Sequence, residues 1–103
     1  MAGEVVLRDN APEARYELLV DGTLAAEAHY ERRPGRVVFV HTEVGEAFRG
    51  RRLGDRLAEF ALRDARDRGE RVIARCPFIA AYVERHPEHQ DIVLGRRPPA
   101  EPG

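Results

Sequence analysis

The sequence predicts an α+β domain: antiparallel strands first, then one parallel β-α-β crossover, with two helices. Three observations point there. β-rich runs separated by turn residues fill the first half of the chain. A 3.6-residue apolar period takes over at Leu53, and a short apolar run follows as soon as that period ends.

Residues 4–8 are an apolar run that reads as a first strand, closed by Asp9-Asn10-Ala11-Pro12. Residues 15–20 and 23–32 flank Asp21-Gly22, a pair typical of a type I′ hairpin turn. Arg33-Pro34-Gly35 makes the next turn, and residues 36–44 form a third β-rich run. Strict alternation puts Val37, Phe39 and His41 on one face of that run, and Val38, Val40, Thr42 and Val44 on the other. Both faces are largely apolar, so a central, doubly covered strand is expected.

Leu53, Leu57, Phe60, Ala61 and Ala65 then mark one stripe of an amphipathic helix, with Asp55, Glu59, Arg63, Arg66 and Asp67 elsewhere on its surface. Gly69 stops it. Residues 71–75 read as a strand parallel to 36–44, because a helical crossover separates the two. Pro77 suits a first helical position, and a shorter helix is expected near 78–85 with Ile79 and Val83 inward. One domain spans 1–93, and 94–103, with three Pro and two Gly, reads as a flexible tail.

Composition narrows the chemistry. The chain has 103 residues, room for one domain only. All 17 basic residues are Arg, and Ser, Lys and Trp are absent. A serine nucleophile, a lysine Schiff base and a Walker lysine are therefore excluded. An Arg- and Ala-rich, Lys-free chain points to a GC-rich genome. The net charge of −1 gives no push toward nucleic acid or an anionic membrane. Neither a membrane span nor a signal-peptide core is found in the sequence, and one cysteine makes no internal disulfide, so the cytoplasm is expected. A monomer or weak homodimer is expected.

Four constellations could carry chemistry. Ligands of such sheets favour the carboxyl ends of parallel strands, here 41–44 and 75–76. The segment Phe48-Arg49-Gly50-Arg51-Arg52-Leu53-Gly54 lies between strand and long helix. Arg49, Arg51, Arg52 and Arg56 crowd a helix N-terminus, where cations are unfavourable unless an anion, most simply phosphate, joins them. The plainer account is a solvated, arginine-rich helix start. Cys76, before Pro77, sits near an N-cap where a thiolate is stabilised, or is a small buried hydrophobe. His41 lies within reach of Cys76 if their strands adjoin, as a proton-transfer pair, or is a core histidine bound to backbone. Glu43, two residues on, is a water-relayed base or a loop carboxylate. The fourth, His86-Pro87-Glu88-His89, superficially offers metal ligands, but Pro87 breaks the spacing, so helix termination is preferred and no metal is expected. Tyr82 points into a cleft or packs.

His41-Thr42-Glu43-Val44, the arginine/glycine loop, and Cys76-Pro77-Phe78 with Tyr82 and Arg85-His86-Pro87-Glu88 resemble the small YjdJ-type branch of the GNAT superfamily of N-acetyltransferases. The match runs in order from about Val5 to Val93. The resemblance implies a GNAT-like fold with splayed central strands and acetyl-CoA as co-substrate. It implies pyrophosphate binding by Arg49, Gly50, Arg51, Arg52, Leu53 and Gly54, and a cofactor site completed by Thr42, Glu43, Val44 and Tyr82. It also implies His41 and Cys76 as the catalytic pair and an unidentified amine as acceptor. The chain departs from the superfamily loop at Arg52, which stands where the first of the two loop glycines usually does; a site needing positive φ resists arginine there. Direct attack of the amine and a Cys76 acetyl-enzyme are both open routes. A non-catalytic acyl-CoA-binding module is the alternative, and an arginine-patch adaptor a third reading.

Overall fold

A computed structural model describes residues 3–95. Five strands form one sheet in sequential order: β1 (Val5–Asn10), β2 (Arg15–Val20), β3 (Thr23–Arg33), β4 (Arg36–Val44) and β5 (Arg71–Ala74). β1 to β4 are antiparallel, and β5 joins β4 in parallel through the helix α1 (Leu53–Asp67). A second helix, α2 (Pro77–Arg85), follows β5, and a six-residue 3₁₀ segment, Pro87–Ile92, follows α2. The expected α+β crossover is therefore present. The 3₁₀ segment exceeds the expectation, since Pro87 ends α2 yet itself opens another helical turn.

Local chemistry sets the joints. Asp21 and Gly22 both have positive φ, 49° and 82°, as a type I′ turn demands. α1 ends in paired bonds, Glu70 N–H to the Ala65 carbonyl and Gly69 N–H to that of Arg66, with Gly69 at φ 71°. This is the Schellman closure that glycine permits.

α1 and α2 pack side by side, joined by contacts from Tyr82 and Arg85 to Glu59 and Asp55. The core lies between them and the sheet. Tyr16, Leu18, Phe39, Leu57, Leu62, Val72 and Ile79 are fully buried in it, each large apolar side chain contributing about 2–3 kcal/mol. The expected α1 stripe is buried apart from the half-buried Phe60, and Ala58 and Leu62 widen it.

A polar tie crosses the layers. Arg32 of β3 donates to both Glu70 oxygens, at 2.6 and 3.1 Å, and to the Tyr16 hydroxyl at 2.7 Å. Tyr16 in turn donates to Asp64 of α1 at 2.6 Å. β2, β3, α1 and the entry to β5 are thus pinned by one network whose buried hydroxyl is fully engaged. The tail expected from residue 94 begins with bonded backbone: Leu94 N–H donates to Val72 at 2.7 Å beside a Val72–Val93 bridge. Its remainder, 96–103, lies outside the described residues.

The β3–β4 register decides where the site residues face. His29 pairs with His41, but Tyr30 pairs with Phe39, so Val40 is an extra, bulged residue. Before the bulge, Val37 and Phe39 face the helices and are fully buried. After it, Thr42 and Val44 face the helices, opposite the buried Ala28 and Ala26. His41 and Glu43 turn to the other face and are exposed. The expected grouping of Val37, Phe39 and His41 on one face is corrected accordingly. One inserted residue inverts the alternation.

Candidate active site

The β4–β5 ladder ends at Phe39 and Ala74. There the Arg75 and Cys76 N–H groups both donate to the Phe39 carbonyl at 3.0 Å, which turns the chain into α2. β4 continues to Val44 paired with β3 alone, so the two central strands splay and residues 41–44 keep one free edge. A groove of about 640 Å³ follows this end of β4, lined among others by Glu27, His41, Glu43, Val44, Arg49 and Phe78.

Beyond the strand, Gly45 N–H bonds the Ala25 carbonyl at 2.7 Å, and a 3₁₀ turn, Glu46–Phe48, leads into the arginine/glycine loop. Gly50 has φ 85° and Arg52, the N-cap of α1, has φ 57°. The left-handed conformation that glycine would adopt freely is thus imposed on arginine, at a cost of about 1–2 kcal/mol. No side chain caps α1. Its first internal bond runs from Arg56 N–H to the Arg52 carbonyl, so the N–H groups of Leu53, Gly54 and Asp55 point out of the helix end. Gly54 is required by packing: a Cβ there would lie 2.6 Å from Phe78 Cζ and 3.2 Å from Val44 Cγ2. Arg51 lies over the Phe48 ring, 5.6 Å from its centroid. Arg52 and Arg56 face a second groove of about 470 Å³ that Tyr82 and His86 also line. The end of α1 therefore combines free amides with guanidinium groups, an arrangement suited to phosphate.

Cys76 is the N-cap of α2 and 2% exposed. Its Sγ donates to Thr42 Oγ1 at 3.2 Å, so the β4 side chain that meets Cys76 is Thr42 rather than His41. His41, on the opposite strand face, pairs with Glu43 at 3.0 Å, and its ring lies 6.1 Å from that of His29. The hydrogen bond from His41 holds the exposed Glu43 carboxyl below the usual range. The structure thus brings Thr42 to Cys76 and Glu43 to His41, with the body of β4 between the two pairs.

Tyr82 is buried, stacked on His86 at 3.8 Å, and donates to Glu59 at 2.7 Å. Burial and that contact raise its pKa. Burial also pushes the Glu59 carboxyl up, but bonds from His89 at 2.6 Å and from Tyr82 bring it below its ordinary value. Glu59, Glu88 and His89 place three donor atoms within 4.8 Å. Glu59 also holds Arg63, and the guanidinium groups of Arg63 and Arg66 line the same hollow, so its field disfavours a cation. Two contacts escaped the sequence reading. The Glu59–His89 bond spans 30 residues and has no local signature. Thr42 beside Cys76 depends on the bulge, which alternation alone does not announce.

The model of the GCN5-related N-acetyl-transferase family matches residues 15–92, which hold β2 through the 3₁₀ segment. The solution structure of a GCN5-like protein from Staphylococcus aureus has the same fold, with a TM-score of 0.68 and 20% identity over 95% of this chain and 96% of that one. No curated protein sequence matches the chain. The family match spans well over half of the chain and includes the splayed strands, the arginine/glycine loop and both helices: the chain belongs to the GCN5-related N-acetyltransferase family and is an acetyltransferase.

Proposed function

We propose that the protein transfers the acetyl group of acetyl-CoA to an amine by direct attack. The observation that carries this reading is the uncapped, arginine-flanked start of α1 placed directly beyond the free edge of β4. Arg49, Arg51 and Arg52, with the outward amides of Leu53 and Gly54, suit the pyrophosphate. The free backbone edge at Thr42, Glu43 and Val44 suits the amide-bearing arm of the cofactor, which pairs with a strand as a peptide would. Tyr82 and His86 offer a stacked aromatic wall beside Arg52 and Arg56 for the nucleotide end.

In this reading the acceptor nitrogen attacks the thioester carbon, forming C–N as C–S breaks. His41, oriented by Glu43, takes the acceptor proton. The leaving thiolate takes a proton from water, since the Cys76 thiol is buried against Thr42 on the other face of β4. A Cys76 acetyl-enzyme is disfavoured because the side chain that the thiol meets among the described residues is the Thr42 hydroxyl, which is no base at neutral pH. The lone free, buried cysteine fits a reducing cytoplasm.

Thermal melting with acetyl-CoA is the direct test. Ligand at about 100 times its Kd adds about 2.7 kcal/mol, which raises Tm by roughly ten degrees or more in a domain this small. Arg49→Glu is expected to abolish the rise. No rise at millimolar acetyl-CoA would overturn the binding reading, and an acetyl adduct on intact mass that Cys76→Ala removes would replace direct attack with the covalent route.

A further inference from the structure

Tyr82, His86 and His89 form an aromatic cluster that local geometry assembles. Tyr82 lies on α2 and His86 is its C-cap four residues on, so the two share one helix face. Pro87 then opens the 3₁₀ segment, whose first turn closes with the His89 N–H on the His86 carbonyl at 3.0 Å. Residues three apart eclipse in such a turn, which returns His89 to the same side. The Tyr82 ring stacks on His86, centroids 3.8 Å apart, and lies 6.2 Å from the His89 ring.

One carboxylate oxygen joins this cluster to α1. Glu59 Oε1 accepts from the Tyr82 hydroxyl at 2.7 Å and from His89 Nε2 at 2.6 Å, while Oε2 takes Arg63 at 3.2 Å. The Nε2–H of His89 is thereby committed to Glu59. Its Nδ1 has no partner, the one buried side-chain polar atom so left among the described residues. Burying an unmet ring nitrogen costs free energy that a phenylalanine of similar shape would avoid. His89, 3% exposed, thus contributes what an apolar ring could not: a donor on the oxygen that holds Tyr82.

We infer that His89 and Glu59 are positioning residues for the nucleotide end of the cofactor. The inference rests on the placement of that end beside Tyr82, His86, Arg52 and Arg56 proposed above. His89 fixes Glu59, and Glu59 fixes the Tyr82 hydroxyl. The Tyr82 ring in turn backs the half-buried His86 ring that lines the groove. His86 is also tied to α2, since its Nδ1–H donates to the Tyr82 carbonyl at 2.8 Å. A wall ordered before binding costs the ligand less than one ordered by it.

The test is calorimetric titration with CoA and with pantetheine, which lacks the nucleotide. His89→Phe keeps a buried ring but removes the donor, and is expected to weaken CoA about tenfold while leaving pantetheine unchanged. His89→Gln, which keeps an N–H donor for Glu59, is expected to restore most of the affinity. Tyr82→Phe combined with His89→Phe should weaken CoA no more than the worse single variant, because both cut contacts to one oxygen. Melting curves confirm that the variants fold. CoA affinity indifferent to His89→Phe, equal weakening of pantetheine, or no recovery in His89→Gln would each overturn the inference while leaving acetyl-CoA binding in place. Absence of CoA binding by the parent protein would instead overturn the function proposed above, and this inference with it.

Discussion

The two halves of β4 are built for different ends. Over residues 36–39 the strand is paired on both sides, and Val37 and Phe39 are completely buried. Over 41–44 it is paired with β3 alone, and His41 and Glu43 are exposed. The bulge at Val40 separates them. Within one strand, the doubly paired half supplies rigidity and the singly paired half supplies free backbone and titratable groups. A precise site thus hangs from a fully packed anchor.

The largest expected effect tests the anchor. Phe39→Ala should cost about 3–5 kcal/mol in urea unfolding, because it empties a site in the centre of the core. His41→Ala should change stability by no more than about 0.5 kcal/mol while impairing transfer. Equal losses from the two would break the comparison.

A second prediction sharpens it by moving along the polar face. Glu17 of β2 lies in register with Glu27, which pairs with Glu43, yet Glu17 is buried where Glu43 is exposed. Burial raises its pKa, but hydrogen bonds from Asn10, Arg8 and Arg15 outweigh that and lower it from 4.5 to about 2. A depressed carboxyl pKa stabilises the fold above the unfolded value, and the contribution is lost as pH falls toward the folded one. Glu17→Gln should therefore cost roughly 2 kcal/mol at pH 7. The gap from the parent protein should narrow as melting is followed from pH 5 down to pH 2.

The smallest effect concerns the loop beyond the singly paired half. Arg52→Gly should stabilise the protein by about 1 kcal/mol, since glycine accepts the φ of 57° without strain. A melting temperature that falls instead would mean that the Arg52 side chain holds the loop more strongly than its backbone strains it.

Much of this was legible from local chemistry. Asp21-Gly22, Gly69 and the Leu53–Leu57–Ala61–Ala65 stripe act within a few residues, and each element stands where they place it. Arg52 at a loop position that wants glycine was also readable, and its positive φ is the physical content of that departure. What stayed hidden is non-local. Arg32 and Glu70 are 38 residues apart, and nothing near either announces the other. The bulge at Val40 is a matter of pairing with β3 and has no signature in the alternation of β4 itself, so the face of His41 was misread while the position of its strand was right.

The free edge of β4 also bears on colloidal behaviour. A strand with unpaired backbone groups is a template for a foreign strand, and so a starting point for aggregation. Here the exposed stretch is only four residues long. It carries charge at Glu43 and a titratable ring at His41, and it runs at once into Gly45 and a 3₁₀ turn. Its brevity leaves a foreign strand little to pair with, while an extended small molecule needs no more. The same four residues proposed to take the cofactor thus discourage fibrils, and the protein without ligand is expected to be the more aggregation-prone form.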